Sequence, residues 1–164
     1  MEVTAEQVQR LIEPLLQEEG TRLCGVKISG RASRPLIQIY VDWEDGGITI
    51  DGCATLTRKL LDLFDLQERF APDYRLEVSS PGLDIPLKEA WQFRKNIGKT
   101  IRWQDDAGEK EGRILDVSAD GAITIESKNE TVSLLVIQLA GAKLVLFPNS
   151  KRKTGRRKNE ARSR

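Results

Sequence analysis

The residues that invite a chemical reading first are two serines, Ser79 and Ser80, set against a Pro81-Gly82 break and followed by Asp84. A serine hydroxyl of ordinary pKa becomes a nucleophile only beside a base. The chain has no histidine, and no Ser-x-x-Lys spacing brings a lysine to either serine. The run therefore reads as a rigid connector with Asp84 capping a turn, held well enough to carry a partner contact. Nine acids of the first half come next: Glu18, Glu19, Asp42, Glu44, Asp45, Asp51, Asp62, Asp65 and Glu68. A two-metal hydrolase needs several carboxylates converging on one point. Only Asp42 and Asp51 sit at element ends that can approach each other, so no metal site is expected. Two cysteines, Cys24 and Cys53, cannot make a structural zinc site without carboxylate help. Both fall inside apolar patterns, which predicts buried thiols in a reducing compartment. The chemistry left is binding, with no catalytic residue and no cofactor expected.

Binding chemistry is visible in the charge. The net charge of +1 conceals three regimes. Residues 1–87 hold nine Lys/Arg against fifteen Asp/Glu, a net of −6, whereas residues 88–150 hold nine of each. Residues 151–164 hold eight Lys/Arg and one Glu, a net of +7. A partner responds to potential within a Debye length, about 8–10 Å, so the average means little. Lys151, Arg152, Lys153, Arg156, Arg157 and Lys158 form an arm suited to a phosphate backbone. If it neutralises about four to six phosphates of a single strand, affinity falls with salt at a log–log slope of roughly −3 to −4. A second basic group is Lys99, Arg102, Lys110 and Arg113, with Trp103 as a possible stacking face. Strand alternation puts Trp103 with Ile101 and away from Arg102, so Trp103 is expected in the core. The acids Asp42, Glu44, Asp45 and Asp51 compose a candidate face for a basic protein, and the acidic half as a whole would repel RNA.

These groups are positioned by two kinds of periodicity. Thr4 and Gln7 have capping-box spacing, and Val8, Leu11, Ile12, Leu15 and Leu16 recur at helical spacing up to Gly20. Pro14 predicts a bend near residues 10–14. Two strands follow, 23–29 and 36–42, joined by the basic turn Gly30-Arg31-Ala32-Ser33-Arg34-Pro35, and Ile37, Ile39 and Val41 alternate in the second. Asp51 is expected to cap a helix reaching Asp65 with the stripe Cys53, Leu56, Leu60, Leu63 and Phe64; a third strand spans 74–79. Helix, strand, strand, helix, strand describes an α+β layer with two helices on one face of a three-stranded sheet.

Beyond Pro81-Gly82, which fits a type II turn, residues 83–97 read as a linker and a short helix. Short strands then recur at 99–104, 111–117, 122–127, 131–135 and 143–147, separated by Asp/Asn/Gly turns, with a single 3₁₀ turn at 136–139. That pattern predicts a small SH3-like or Sm-like β-barrel. The divisions are thus an acidic α+β domain over 1–82, linker and helix over 83–97, barrel over 98–148, and a disordered basic tail over 149–164. The N-terminus lacks the pattern of a signal peptide, and no apolar run approaches the ~18–20 residues of a membrane span. A cytoplasmic, soluble protein is expected.

The stretch Leu76-Glu77-Val78-Ser79-Ser80-Pro81-Gly82-Leu83-Asp84-Ile85-Pro86-Leu87 resembles the most characteristic segment of the RimP family of bacterial ribosome maturation factors. Ile39-Tyr40-Val41-Asp42 with its acidic, glycine-containing turn, Ile48-Thr49-Ile50-Asp51 with Cys53, and the β-rich second half stand in the matching order. The likeness spans about residues 4–147. It implies an α+β domain followed by an Sm-like barrel, and association with the immature small (30S) ribosomal subunit near the protein at the decoding centre. It also implies no catalytic activity and no cofactor. The basic tail lies beyond the family's common core. The expected partners are therefore the immature small subunit, a basic small-subunit ribosomal protein and rRNA, without membrane or small-molecule substrate. A stand-alone Sm-like RNA-binding regulator is the rival reading.

Overall fold

The structure, a computed structural model, describes residues 3–68, 70 and 73–148. The tail cations Lys151, Arg152, Lys153, Arg156, Arg157 and Lys158 lie outside the described residues. The first half contains α1 (Ala5–Glu18), β1 (Arg22–Arg31), β2 (Arg34–Asp42), α2 (Ile50–Asp65) and β3 (Arg75–Ser79). The Thr4 hydroxyl accepts from the Gln7 N–H at 3.3 Å while Gln7 Oε1 accepts from the Thr4 N–H at 3.1 Å, closing the expected capping box. The helix runs through Pro14 without a break. In α2 the cap is Thr49 and not Asp51: the Thr49 hydroxyl accepts from the Gly52 N–H at 3.0 Å, and Asp51 stands exposed in the first turn. An acid there still favours the positive end of the helix dipole.

β1 and β2 form the hairpin, and β3 returns parallel to β2, giving the order β1-β2-β3. Both helices lie on the face made by Ile37, Ile39 and Val41, where Val8, Ile12 and Leu16 from α1 meet Leu56, Leu60 and Phe64 from α2. Phe64 stacks on Phe70 with centroids 4.4 Å apart. Of the expected α2 stripe, Cys53 and Leu63 are only half-buried, with Leu63 packed at the margin of this core.

The second half contains α3 (Ala90–Lys95), β4 (Thr100–Asp105), β5 (Gly108–Val117), β6 (Ala122–Ser127), β7 (Glu130–Leu135), a 3₁₀ turn (Val136–Leu139) and β8 (Lys143–Val145). The strands form one antiparallel sheet in the order β7-β6-β5-β4-β8. Lys128 and Asn129 both have positive φ, 50° and 66°, as a two-residue type I′ hairpin turn requires. Phe93, Ile101, Trp103, Ile114, Ile123, Ile125 and Leu139 fill its core, which places Trp103 inside as the alternation predicts. Among the described residues no helix is long and apolar enough to cross a membrane.

Candidate functional site

Residues 83–97 are packed against both halves. Leu87 joins the second core and its N–H donates to the Ala142 carbonyl at 2.8 Å. Ile85 and Trp91 instead meet Cys24 and Tyr40 on the face of the first sheet that the helices leave uncovered. Cys24 reaches that face through a β-bulge: Leu23 pairs with Val41 but Gly25 pairs with Tyr40, so Cys24 is the extra residue. A bulge re-aims one side chain without disturbing its neighbours. Burial, followed by the nearby Asp42 charge, pushes the Cys24 thiol up to about 11. It is a packing residue, not a nucleophile.

Polar groups complete this contact. Asp42 ends β2, and its Oδ1 accepts from the Trp43 and Ile48 N–H groups, each at 3.0 Å. Its Oδ2 accepts from Lys95 Nζ at 2.5 Å, and the same ammonium donates to the Trp43 carbonyl at 2.7 Å. The two side chains are only 14% and 18% exposed, so this pair sits largely out of water. Nearby, Arg22 lies 5.4 Å from the Trp91 ring centroid and donates to Glu89 at 3.2 Å, while Trp91 Nε1 donates to the same carboxylate at 3.0 Å. Beside this ion pair lies a cleft of about 370 Å³, whose lining includes Ser80, Pro81, Gly82, Asp42, Lys95 and Lys99. Gly82 carries φ +56°, the sign its place in a type II turn requires.

Ser80, Pro81 and Gly82 border the cleft, with Ser79 ending β3 and Asp84 exposed beyond. Of the acidic set, Asp42 is spent inside the chain, Glu44 is 3.7 Å from Arg22, and Asp45 and Asp51 are exposed. Among the described residues no three cysteine or acidic side chains converge as metal ligands. Lys99 is exposed at the cleft and donates to Asn96 Oδ1 at 3.0 Å. Arg102 is held by Glu111 at 3.0 Å and Glu109 at 3.4 Å, and Arg113 by Glu126 at 3.4 Å. Lys110 and Arg113 line a separate depression of about 580 Å³ together with Lys128 and with Glu109, Glu111 and Glu126, so its formal charges balance.

Sequence reasoning missed Lys95, Trp91, Glu89 and Arg22 as the parts that join the halves. Trp91 in a short helix between two apolar-patterned regions was the available signal, since an aromatic there has to bury its ring against something. Residues 11–84, from the middle of α1 through the Ser80–Asp84 loop, match the family model of the RimP N-terminal domain. The chain thus carries the N-terminal domain of the RimP family, a family of ribosome maturation factors.

Proposed function

We propose that the chain is a non-enzymatic factor of the cytoplasm that binds the immature small (30S) ribosomal subunit and assists its assembly. The observation that carries this reading is the RimP N-terminal domain at residues 11–84. In this reading the acidic first domain docks on a basic small-subunit ribosomal protein near the decoding centre. Its contacts come from the exposed acids Glu44, Asp45 and Asp51 and from the Ser79–Asp84 loop. The second half acts as an Sm-like barrel that meets rRNA through Lys99, Arg102, Lys110 and Arg113. The tail cations Lys151, Arg152, Lys153, Arg156, Arg157 and Lys158 add sequence-independent attraction to phosphate. Two weak contacts held at a fixed separation raise avidity ~10²–10⁴-fold when the geometry lets both engage. Because the halves are joined by a buried cluster and an ion pair, their spacing is set before binding. A factor of fixed spacing binds one conformation of its target better than another, and that difference biases the target toward the conformation it fits.

Sedimentation of purified protein with cell-derived subunits tests this. The chain is expected to comigrate with small-subunit precursors in preference to mature subunits. Migration with free RNA and with neither subunit form would instead favour the stand-alone Sm-like regulator.

A further inference from the structure

Residues 1–87, the first domain and the start of the connector, carry a net charge of −6, but within the first domain charge is divided between the two faces of the sheet. The helices hold Glu6, Glu13 and Glu18 on α1 and Asp51, Asp62 and Asp65 on α2, against Arg10, Arg58 and Lys59. The opposite face is set by the strand register. Leu36 lies between Ser29 and Arg75, Gln38 between Lys27 and Glu77, and Tyr40 between Gly25 and Ser79. Ile85 and Trp91 cover only the Tyr40 end; a Cβ on Gly25 would already stand 3.5 Å from Ile85.

The far end of that face is open and basic. A depression of about 410 Å³ lies there, lined by Ser29, Gly30, Arg34, Leu36 and Arg75. Arg31 and Arg34 face each other as the last pair of the hairpin, are exposed, and have no ion pair among the described residues. Arg75 has only a loose approach to Glu77 at 3.7 Å, and Glu77 is shared with Gln38 Nε2 at 3.1 Å. Lys27 lies 5.6 Å from the Tyr40 ring centroid. Four exposed cations thus meet one acid at this end of the sheet face.

We propose that this open sheet face and its hairpin tip bind an RNA backbone, giving the first domain an RNA contact that its net charge conceals. Arginine forks match phosphate oxygens two at a time, which a lysine point charge does not. The half-buried Leu36 between them offers a flat apolar floor for unstacked bases. The acidic helices face the other way, so a strand lying on the sheet is separated from them by the thickness of the domain. The inference rests on the reading that the chain works on an RNA-containing particle, and it divides the first domain into a protein-facing and an RNA-facing side.

The test uses the full chain and a fluorescent oligouridine of about 20 nucleotides, titrated across salt. The variant R31Q/R34Q/R75Q is expected to bind about ten-fold more weakly at low salt, with a log–log salt slope shallower by about 2, as losing three phosphate contacts implies. The exposed helix-side variant R10Q/R58Q is expected to leave both quantities unchanged. R31K/R34K/R75K, which keeps the charge and the fold, is expected to restore the slope but only part of the affinity. Unchanged oligouridine binding by R31Q/R34Q/R75Q overturns the proposal, as does an equal loss in R10Q/R58Q. Weaker binding of fluorescent polyglutamate by R31Q/R34Q/R75Q, titrated in parallel, with oligouridine binding intact also overturns it, in favour of an acidic protein partner. Comigration of the wild-type chain with precursor subunits is read separately, so a failure of the assembly reading is not mistaken for a failure of the sheet face.

Discussion

Gly112 shows how tightly single residues are constrained in the second sheet. It is buried in β5 opposite Ile101 of β4, in the wall of the depression that holds Lys110 and Arg113. A Cβ at this position would overlap the Ile125 side chain and stand 2.9 Å from the Glu126 carbonyl oxygen. Backbone cannot move aside as a flexible side chain can, so Gly112→Ala is expected to cost about 1–3 kcal/mol. Gly47→Ala, where nothing lies within 4 Å of the added atom, is expected to stay within about 0.5 kcal/mol. Urea denaturation of both variants checks this, and equal stability of the two would contradict the packing described. The requirement was legible in principle, since a glycine inside a strand marks a bulge or a close approach. The strand expected at 111–117 rests on the spacing of the turns around it, which says nothing of a glycine within it.

At the scale of elements, the Asp42–Lys95 pair joins the end of β2 to the end of α3. Removing one partner strands the other charge in a site with little water. Asp42 also accepts two backbone N–H groups of the turn that follows it, so Asp42→Ala loses more than Lys95→Ala. The expected costs are about 2–4 and about 1–3 kcal/mol. The double variant should cost less than the sum, because its second removal takes away a charge that is already unpaired. Strictly additive losses in thermal or chemical denaturation would show that the pair does not couple the halves.

The elements themselves were readable from period. Ile37, Ile39 and Val41 announce a strand, Thr4 with Gln7 a helix start, and Lys128-Asn129 a turn, since each is a local pattern with a local cause. The joint between the halves was not readable. Asp42 looks the same in sequence whether it faces solvent or a lysine 53 positions further on, and it was assigned to an acidic surface. The cap of α2 was misplaced for a related reason: Thr49 and Asp51 are both good cap residues, and only the backbone decides between them.

At the scale of the molecule, charge is sorted by face as well as by segment. The segment totals place acid in the first half and base at the end of the chain. The folded first domain further separates acidic helices from a basic sheet face, which no running sum along the chain can display because β1, β2 and β3 bring Lys27, Arg31, Arg34 and Arg75 together from two distant stretches. The central claim is that one particle meets these surfaces with two chemistries at once, protein against the acids and RNA against the cations. A cross-linking map of the full chain on purified small-subunit precursors tests it most directly, using carboxylate-to-amine coupling for protein and ultraviolet light for RNA. The expected map joins acids of α1, α2 and the Glu44-Asp45 turn to lysines of a basic ribosomal protein, and joins the Arg31–Arg34 hairpin to rRNA. A map with rRNA adducts on the helix side and protein adducts on the hairpin, or with no adducts on bound precursors, would contradict it.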